Sequence, residues 1–334
     1  MNSHTDNPSV VQDPGLKRLP GLTWCSLRDS DLPALLALAQ ACLAADGGLP
    51  LAAEADFLLA RSLPQAPGRA VGAWDTGGHL IATVAVQPVG PTAPCSLAIS
   101  GMVHPAWRDR GLGSGLLAWG AAQAPGVLQA CPVGQAYTLR LASEFLTPAA
   151  EGLFTRQGFE KQFVEWVMRR SLEDALPPVA LPASIRLETW TAERAALFFL
   201  AYQGAFRERP GFPGWSMSEW VAWVSEDDEF FPEASLLALA GDQPVGFTAC
   251  ATGWVTQMGV LPAWRGRGLG AALLAEALRR FYQAGSKEAW LDVNENNPGA
   301  ARLYKKLGFN LAGRRGRFVR SLARPQTAAS ERQD

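Results

Sequence analysis

Histidine is scarce: His4, His79 and His104 are the only three in 334 residues. His4 lies in a polar leader, His79 follows the Gly77-Gly78 turn and His104 precedes Pro105 at a strand end, so none has the neighbours a histidine-based nucleophile triad requires. The five cysteines, Cys25, Cys42, Cys95, Cys131 and Cys250, form no C-x-x-C pair and have no histidines close by. That spacing argues against a disulfide framework and a zinc site, and predicts reduced, mostly buried thiols and no metal. No apolar run approaches the roughly 18–20 residues of a membrane span, and the first fourteen residues are polar rather than signal-like. A cytoplasmic protein without a membrane partner is expected. Thirty basic residues against thirty-one acidic ones give a net charge of −1, so no overall field steers the chain to nucleic acid.

What is present is a repeat. His104-Pro-Ala-Trp-Arg-Asp-Arg-Gly-Leu-Gly-Ser-Gly-Leu-Leu117 recurs as Leu261-Pro-Ala-Trp-Arg-Gly-Arg-Gly-Leu-Gly-Ala-Ala-Leu-Leu274. Downstream, Thr147-Pro-Ala-Ala-Glu-Gly-Leu-Phe154 followed by Gly158-Phe159 aligns on Asn297-Pro-Gly-Ala-Ala-Arg-Leu-Tyr304 followed by Gly308-Phe309. A period of about 150 residues is far too long for a solenoid, so each copy is a whole domain. The chain length and its 48% apolar, 18% charged composition suit two globular cores. Pro177, Pro178 and Pro182 mark a stiff connection. The expected organisation is a disordered tail over 1–18, a first domain over 19–172, a linker over 173–184, a second domain over 185–322 and a disordered tail over 323–334.

In the second copy, Ile185 to Trp190 reads as a strand and Thr191 as the cap of a helix running toward Phe206. Ser216-x-x-Glu219 is a capping box for another helix. Leu236–Ala240 and Val245–Cys250 form a hairpin about Gly241-Asp242, and Trp254–Val260 is a further strand. A helix over Leu269–Ala284, a strand over Ala289–Val293 and a helix starting at Asn297-Pro298 and ended by Gly308 follow. Phe309 to Leu322 reads as a hairpin turning at Gly313 to Gly316. Copy one repeats the order, except that Pro125, Gly126, Pro132 and Gly134 predict loop before its next strand.

Arg265-Gly266-Arg267-Gly268-Leu269-Gly270 lies between an apolar strand and an amphipathic helix. Glycines there let successive amides converge on an anion, and the helix start adds orphan donors and the positive dipole end. A phosphate or pyrophosphate is the natural ligand. A nicotinamide-binding unit would carry these glycines after its first strand, and no Gly-Lys-Ser/Thr follows them as in a P-loop.

These residues resemble the GCN5-related N-acetyltransferase (GNAT) superfamily, whose Arg/Gln-x-x-Gly-x-Gly/Ala signature is matched by Arg265-x-x-Gly268-x-Gly270 and again by Arg108-x-x-Gly111-x-Gly113. Asn297-x-x-Ala300-x-x-Leu303-Tyr304 and Lys306-Leu-Gly-Phe309 are similar to its second signature. The tandem arrangement resembles that of mycothiol synthase and its relatives, two such domains with one active half. The resemblance implies an α/β fold of two tandem GNAT-like domains, each a mixed, mostly antiparallel central sheet flanked by helices. It also implies acetyl-CoA as cosubstrate. The implied contacts are Met258, Gly259 and Val260 on the strand, Arg265 to Ala271 in the turn, and Asn297. The equivalents in copy one are Gly101, Met102, Val103, Arg108, Asp109, Arg110, Gly111, Leu112 and Gly113.

On this reading Tyr304 protonates the departing thiolate and Asp292, with Glu295 close by, is the candidate base. Copy one has Thr147 and Phe154 where the second has Asn297 and Tyr304, which implies a degenerate active site. The acceptor, a small-molecule or peptide amine, is expected to meet the stretch from Ala205 to Phe231, with Arg207, Glu208, Trp215, Trp220 and the acidic run Glu226 to Asp228. Arg314, Arg315, Arg317 and Arg320 read as a basic surface hairpin. A monomer or weak dimer is expected. The competing reading is a non-catalytic acyl-CoA sensor, which would bind the thioester without consuming it.

Overall fold

The computed structural model describes residues 10–11, 16, 19–132, 134–209 and 212–323. Two compact units result, one from residues 1–165 with 313–334 and the other from residues 166–312.

In the first unit the order is β1 (Leu22–Ser26), α1 (Leu32–Asp46), α2 (Ala55–Ser62), β2 (Arg69–Asp75), β3 (Leu80–Pro88), β4 (Ser96–Val103), α3 (Leu112–Ala122), α4 (Ala124–Val127), β5 (Tyr137–Ser143) and α5 (Pro148–Arg156). β6 (Glu160–Ser171) starts in this unit and passes into the second at Trp166. Strands β1 to β4 pair antiparallel in sequence order and β4 runs parallel to β5. Alternation along the strands splits the apolar side chains between two faces. Leu97, Ile99, Leu139 and Leu141 pack with Leu116, Trp119 and Phe154 of α3 and α5, whereas Leu80 and Met102 pack with Leu35, Leu38 and Leu58 of α1 and α2.

The second unit repeats this plan with β7 (Ile185–Thr189), α6 (Ala195–Phe206), α7 (Met217–Ser225), β8 (Leu236–Ala240), β9 (Gln243–Ala251), β10 (Trp254–Val260), α8 (Leu269–Gln283), β11 (Glu288–Asn294) and α9 (Pro298–Lys306). β12 (Asn310–Leu322) starts here and belongs to the first unit from Gly313. Leu236 and Ala238 join the core under α8 and α9, while their neighbours Leu237 and Leu239 join Phe198, Tyr202 and Trp220 under α6 and α7. The capping box forms: Ser216 Oγ accepts from Glu219 N–H, and Glu219 Oε2 accepts from Ser216 N–H at 2.8 Å. A 3-10 turn over Ala192–Arg194 separates Thr191 from α6.

Several sequence expectations need correction. The hairpin at Gly313 to Gly316 is one continuous strand, whose Gly316–Leu322 half pairs antiparallel with Ser143–Tyr137 of β5. Its glycines serve close approach rather than a turn. A Cβ on Gly313 would collide with the backbone of Gly48, and one on Gly316 would lie 2.9 Å from Leu146 Cδ2 and from Phe318 Cε2. Nor is the arginine run on β12 a free basic surface. Arg314 pairs with Glu151 and Arg317 with Glu144 at 2.7 Å, Arg315 with Glu165 at 2.8 Å, and Arg320 donates to Gln157 O at 2.9 Å.

Cys95 and Cys131 are joined by a disulfide, against the expectation of five reduced thiols, while Cys25, Cys42 and Cys250 are free and buried. The parallel β4–β5 pairing starts at Ser96 and Thr138, and Thr138 N–H donates to Cys95 O at 2.8 Å. Two cysteines 36 residues apart are thereby carried to the same end of the sheet. Part of the loop predicted between α3 and β5 is the four-residue helix α4. Within the tail expected over 1–18, Val11 N–H donates to Trp24 O at 2.8 Å and Leu16 is buried in the core. The remainder of that tail, and residues 324–334, lie outside the described residues. No helix or strand occupies 172–184, yet the division into units falls earlier, inside β6.

Candidate active site

β10 and β11 part company in the middle of the second unit's sheet. They pair in parallel only at Trp254↔Trp290 and Val255↔Leu291. A bulge then shifts the β10 register between Val255 and Gln257, after which β10 follows β9 alone, through Met258↔Thr248, Gly259↔Phe247 and Val260↔Gly246. The β10 edge facing β11 therefore has no strand partner past Val255, which opens a gap edged by backbone donors and acceptors. Met258 and Val260 pack toward α8. Gly259 faces α6 so closely that a Cβ would sit 2.7 Å from Ala205 Cβ and 2.9 Å from Phe206 Cε2.

The Gly-rich turn follows the end of β10. Gly266 and Gly268 hold φ of +74° and +81°, and a Cβ on either would meet nothing within 4 Å. The first bond of α8 runs from Ala272 N–H to Gly268 O at 3.0 Å, so the amides of Leu269, Gly270 and Ala271 have no acceptor within the helix. Open space, left-handed glycines and orphan donors at the start of a fifteen-residue helix fit a pyrophosphate. Leu269 is buried beneath the turn, and a Cβ on Gly270 would lie 3.4 Å from Leu303 Cδ2, so this last glycine serves the approach of α8 to α9.

Arg265 braces the turn. Its Nε donates to Val260 O and its Nη2 to Ala205 O, both at 3.0 Å, joining β10, the turn and α6. Arg267 lies over the Trp264 ring at 5.1 Å. In the first unit Arg108 is likewise committed: Nη1 and Nη2 each donate to the Asp46 carboxylate at 2.7 Å, and Nε donates to Val103 O at 3.2 Å. Asp46 holds the Arg108 pKa above its ordinary value.

Gly111 caps α3 at φ +79°, but Asp109, at φ +60°, stands where the second unit has Gly266. A carboxylate at an anion site is unfavourable and a left-handed non-glycine is strained. Arg110 lies over Trp107 at 4.6 Å. Gly113 packs against Leu153 of α5, Gly101 lies against Thr83 O, and Met102 and Leu112 are buried. Here too the strands separate, since β4 and β5 pair only from Ser96 to Ile99. The segment Asp46 to Leu49 spans that gap, with Asp46 on Arg108 beyond β4 and Leu49 N–H donating to Glu144 O beyond β5 at 3.0 Å. A cavity of about 400 Å³ in this unit, lined by Leu63, Arg69, Trp119 and Gln123, lies away from the turn.

Asp292 is the first β11 residue past the last β10–β11 pair. Leu291 and Val293 on either side of it are buried under α8 and α9, so strand alternation directs the half-buried Asp292 to the α6 and α7 face. Asn297 is an exposed cap whose Oδ1 accepts from Ala300 N–H at 3.2 Å. Tyr304 on α9 is 8% exposed, with its ring 6.1 Å from that of Phe309. Burial pushes its phenol up to about 12. In the first unit Phe154, 5.1 Å from Phe318, fills the aligned position. The Trp215 and Trp223 rings lie 5.3 Å apart at a tilt of 43°, Glu226 to Glu229 are exposed, and Trp220 is fully buried with its Nε1–H donating to Gln257 Oε1 at 3.0 Å. Gln257 carries no sequence signal beyond being polar in an apolar strand.

The Acetyltransferase (GNAT) family pattern matches residues 188–309. The mycothiol acetyltransferase of Thermobispora bispora is 32% identical over 291 residues, covering 84% of this chain and 92% of that protein. The mycothiol acetyltransferase of a Nocardioides species is 29% identical over 303 residues, covering 84% and 94%. Among solved structures, a GCN5-related N-acetyltransferase from Sphaerobacter thermophilus superposes with a TM-score of 0.69 at 26% identity, over 92% of this chain and 98% of that one. A tandem GNAT protein from the clavulanic acid biosynthesis pathway shares the fold, with a TM-score of 0.56 at 16% identity over 92% and 100%.

Proposed function

The chain belongs to the GNAT family of acetyltransferases, and from that premise we propose that its second unit carries the reaction, with acetyl-CoA at the Gly266–Ala271 turn and a primary amine at the gap between β10 and β11. The observation that carries this reading is the conjunction, in one unit, of an open left-handed glycine turn, a strand gap and a buried tyrosine.

Acetyl-CoA supplies the thioester whose acyl group is transferred. The amides of Leu269, Gly270 and Ala271 hold its pyrophosphate, and the unpaired β10 edge at Met258–Val260 offers a backbone donor to the thioester carbonyl. Asp292, on the face opposite α8, takes the proton that the attacking amine must lose. Tyr304 keeps its proton at neutral pH because burial disfavours the phenolate, and delivers it to the sulfur as the C–S bond breaks. Asn297 acts as the cap that aims α9, and so Tyr304, at the gap. The first unit is read as non-catalytic: Phe154 has no proton to give, Asp109 opposes an anion, and Asp46 to Leu49 closes its gap.

The names of the relatives make an amine related to mycothiol the first acceptor to assay. The test is free-thiol release from acetyl-CoA with the des-acetyl amine of mycothiol and a panel of small primary amines. Saturable acetyl-CoA binding with no thiol release from any amine would sink the reading.

A further inference from the structure

At the bulge where β10 leaves β11, the register slips between Val255 and Gln257. A bulge re-aims the side chain that follows it. Val255 and Met258 both lie in the core under α8, so Gln257 between them faces α6 and α7. There its Oε1 accepts the indole N–H of Trp220, which is 0% exposed, at 3.0 Å. An indole nitrogen only donates, so the amide has one orientation: carbonyl toward Trp220, NH2 turned away from it. Gln257 is half-buried, and among the described residues its Nε2 has no hydrogen-bond partner. On the other side of the gap the first β11 residue past the last β10 pair, on the same face, is Asp292.

Resting on the reading above, we propose that Gln257 is a specificity-determining residue whose Nε2 donates to an oxygen on the acceptor close to its reacting nitrogen. The acceptor is then an amine bearing a hydroxyl or carbonyl oxygen one or two carbons away, as in an amino alcohol or an aminoacyl group, and plain alkylamines are poor substrates. Trp220 is the positioning residue that fixes the amide.

Full-length protein is assayed for thiol release with two shape-matched pairs, ethanolamine against propylamine and glycinamide against isobutylamine. The wild type is expected to favour the oxygen-bearing member of each pair by 10-fold or more in kcat/KM. Gln257→Glu still offers Trp220 an acceptor but has lost the donor, so the preference should collapse toward unity while the KM for acetyl-CoA and the Tm hold. Rates are compared per free amine across a pH series, so that the lower basicity of the oxygen-bearing member does not enter the ratio. Trp220→Phe releases the amide to flip and should give an intermediate preference. A wild type indifferent within both pairs overturns the proposal, as does a Gln257→Glu enzyme that keeps the preference. So does a fall in kcat equal for all four amines, which would assign the donor to the transferring carbonyl. If none of the four releases thiol although another amine does, the proposal fails and the acetyltransferase reading stands. If no amine does, that reading fails first.

Discussion

Tyr304→Phe removes one oxygen from the second unit and reproduces what the first unit has at Phe154. The phenol sits near 12 and a thiol near ~8.5, so moving its proton fully to a free thiolate is uphill by about 3.5 pKa units, or ~5 kcal/mol. In the proposed role Tyr304 would donate only while charge is building on sulfur, and its expected contribution falls at the low end for a general acid, about 100-fold in kcat, or ~2.7 kcal/mol. Stability should hardly move, because Phe keeps the packing of a ring that is 8% exposed, and the hydroxyl is not among the fully buried polar atoms left without a partner. The assay is thiol release from pH 6 to 9, with calorimetric acetyl-CoA titration and urea denaturation of the same preparation. Loss of kcat with unchanged cofactor affinity and stability fits a proton donor. Parental turnover across that range would refute the assignment, leaving the thiolate to depart unassisted.

Three further outcomes are expected. Gly268→Val places a β-branched residue at φ +81°, costing about 1–2 kcal/mol in backbone strain, and fills space at the cradle; acetyl-CoA affinity measured by calorimetry should fall far more than Gly111→Val lowers turnover. Arg108→Met strips the Asp46 carboxylate, 6% exposed, of its bidentate partner, so the urea midpoint should drop by the equivalent of about 1–3 kcal/mol with acetyl-CoA affinity unchanged; the opposite pattern would make Arg108 a ligand rather than a strut. Tyr304 also gives an alkaline signature: with the folded value raised from 10.0 to about 12, the unfolded chain releases this proton first. Its contribution is intact below pH 10 and lost as pH passes 12, so between pH 9 and 12 the wild type should lose roughly 2–3 kcal/mol more than Tyr304→Phe, and equal losses would contradict the burial.

Local pattern made much of this visible. The bounds of β8 and β10, the Ser216–Glu219 capping box and the Gly-rich turn are written in neighbouring residues, and the repeat identified two copies because each copy keeps its own turn and helix signals. Features set by distant partners were hidden. Gly313 and Gly316 read as a turn because a glycine in a strand marks either a bend or a close approach, and only Gly48 and Leu146 decide which. The bracing role of the arginines of the two turns was hidden in the same way, because Ala205 and Asp46, about 60 residues earlier, cannot be seen from Arg265 and Arg108. Gln257 has no local signal for the same reason: its meaning comes from Trp220, 37 residues before it.

The return of β12 to the first unit bears on how the protein is made. A ribosome finishes residues 1–165 about 150 residues before it completes Gly316–Leu322, the strand that pairs with Tyr137–Ser143. At ~5–20 residues per second, the earlier-made unit waits on the order of ten seconds with the β5 edge uncovered, and unpaired edges are where nascent chains aggregate. A premature stop codon just after Ala312 would spare residues 188–309, which match the family, while depriving the amino-terminal unit of a strand and of the arginines that hold Glu144, Glu151 and Glu165. A truncation after Ala312 is thus a lesion in the unit translated first.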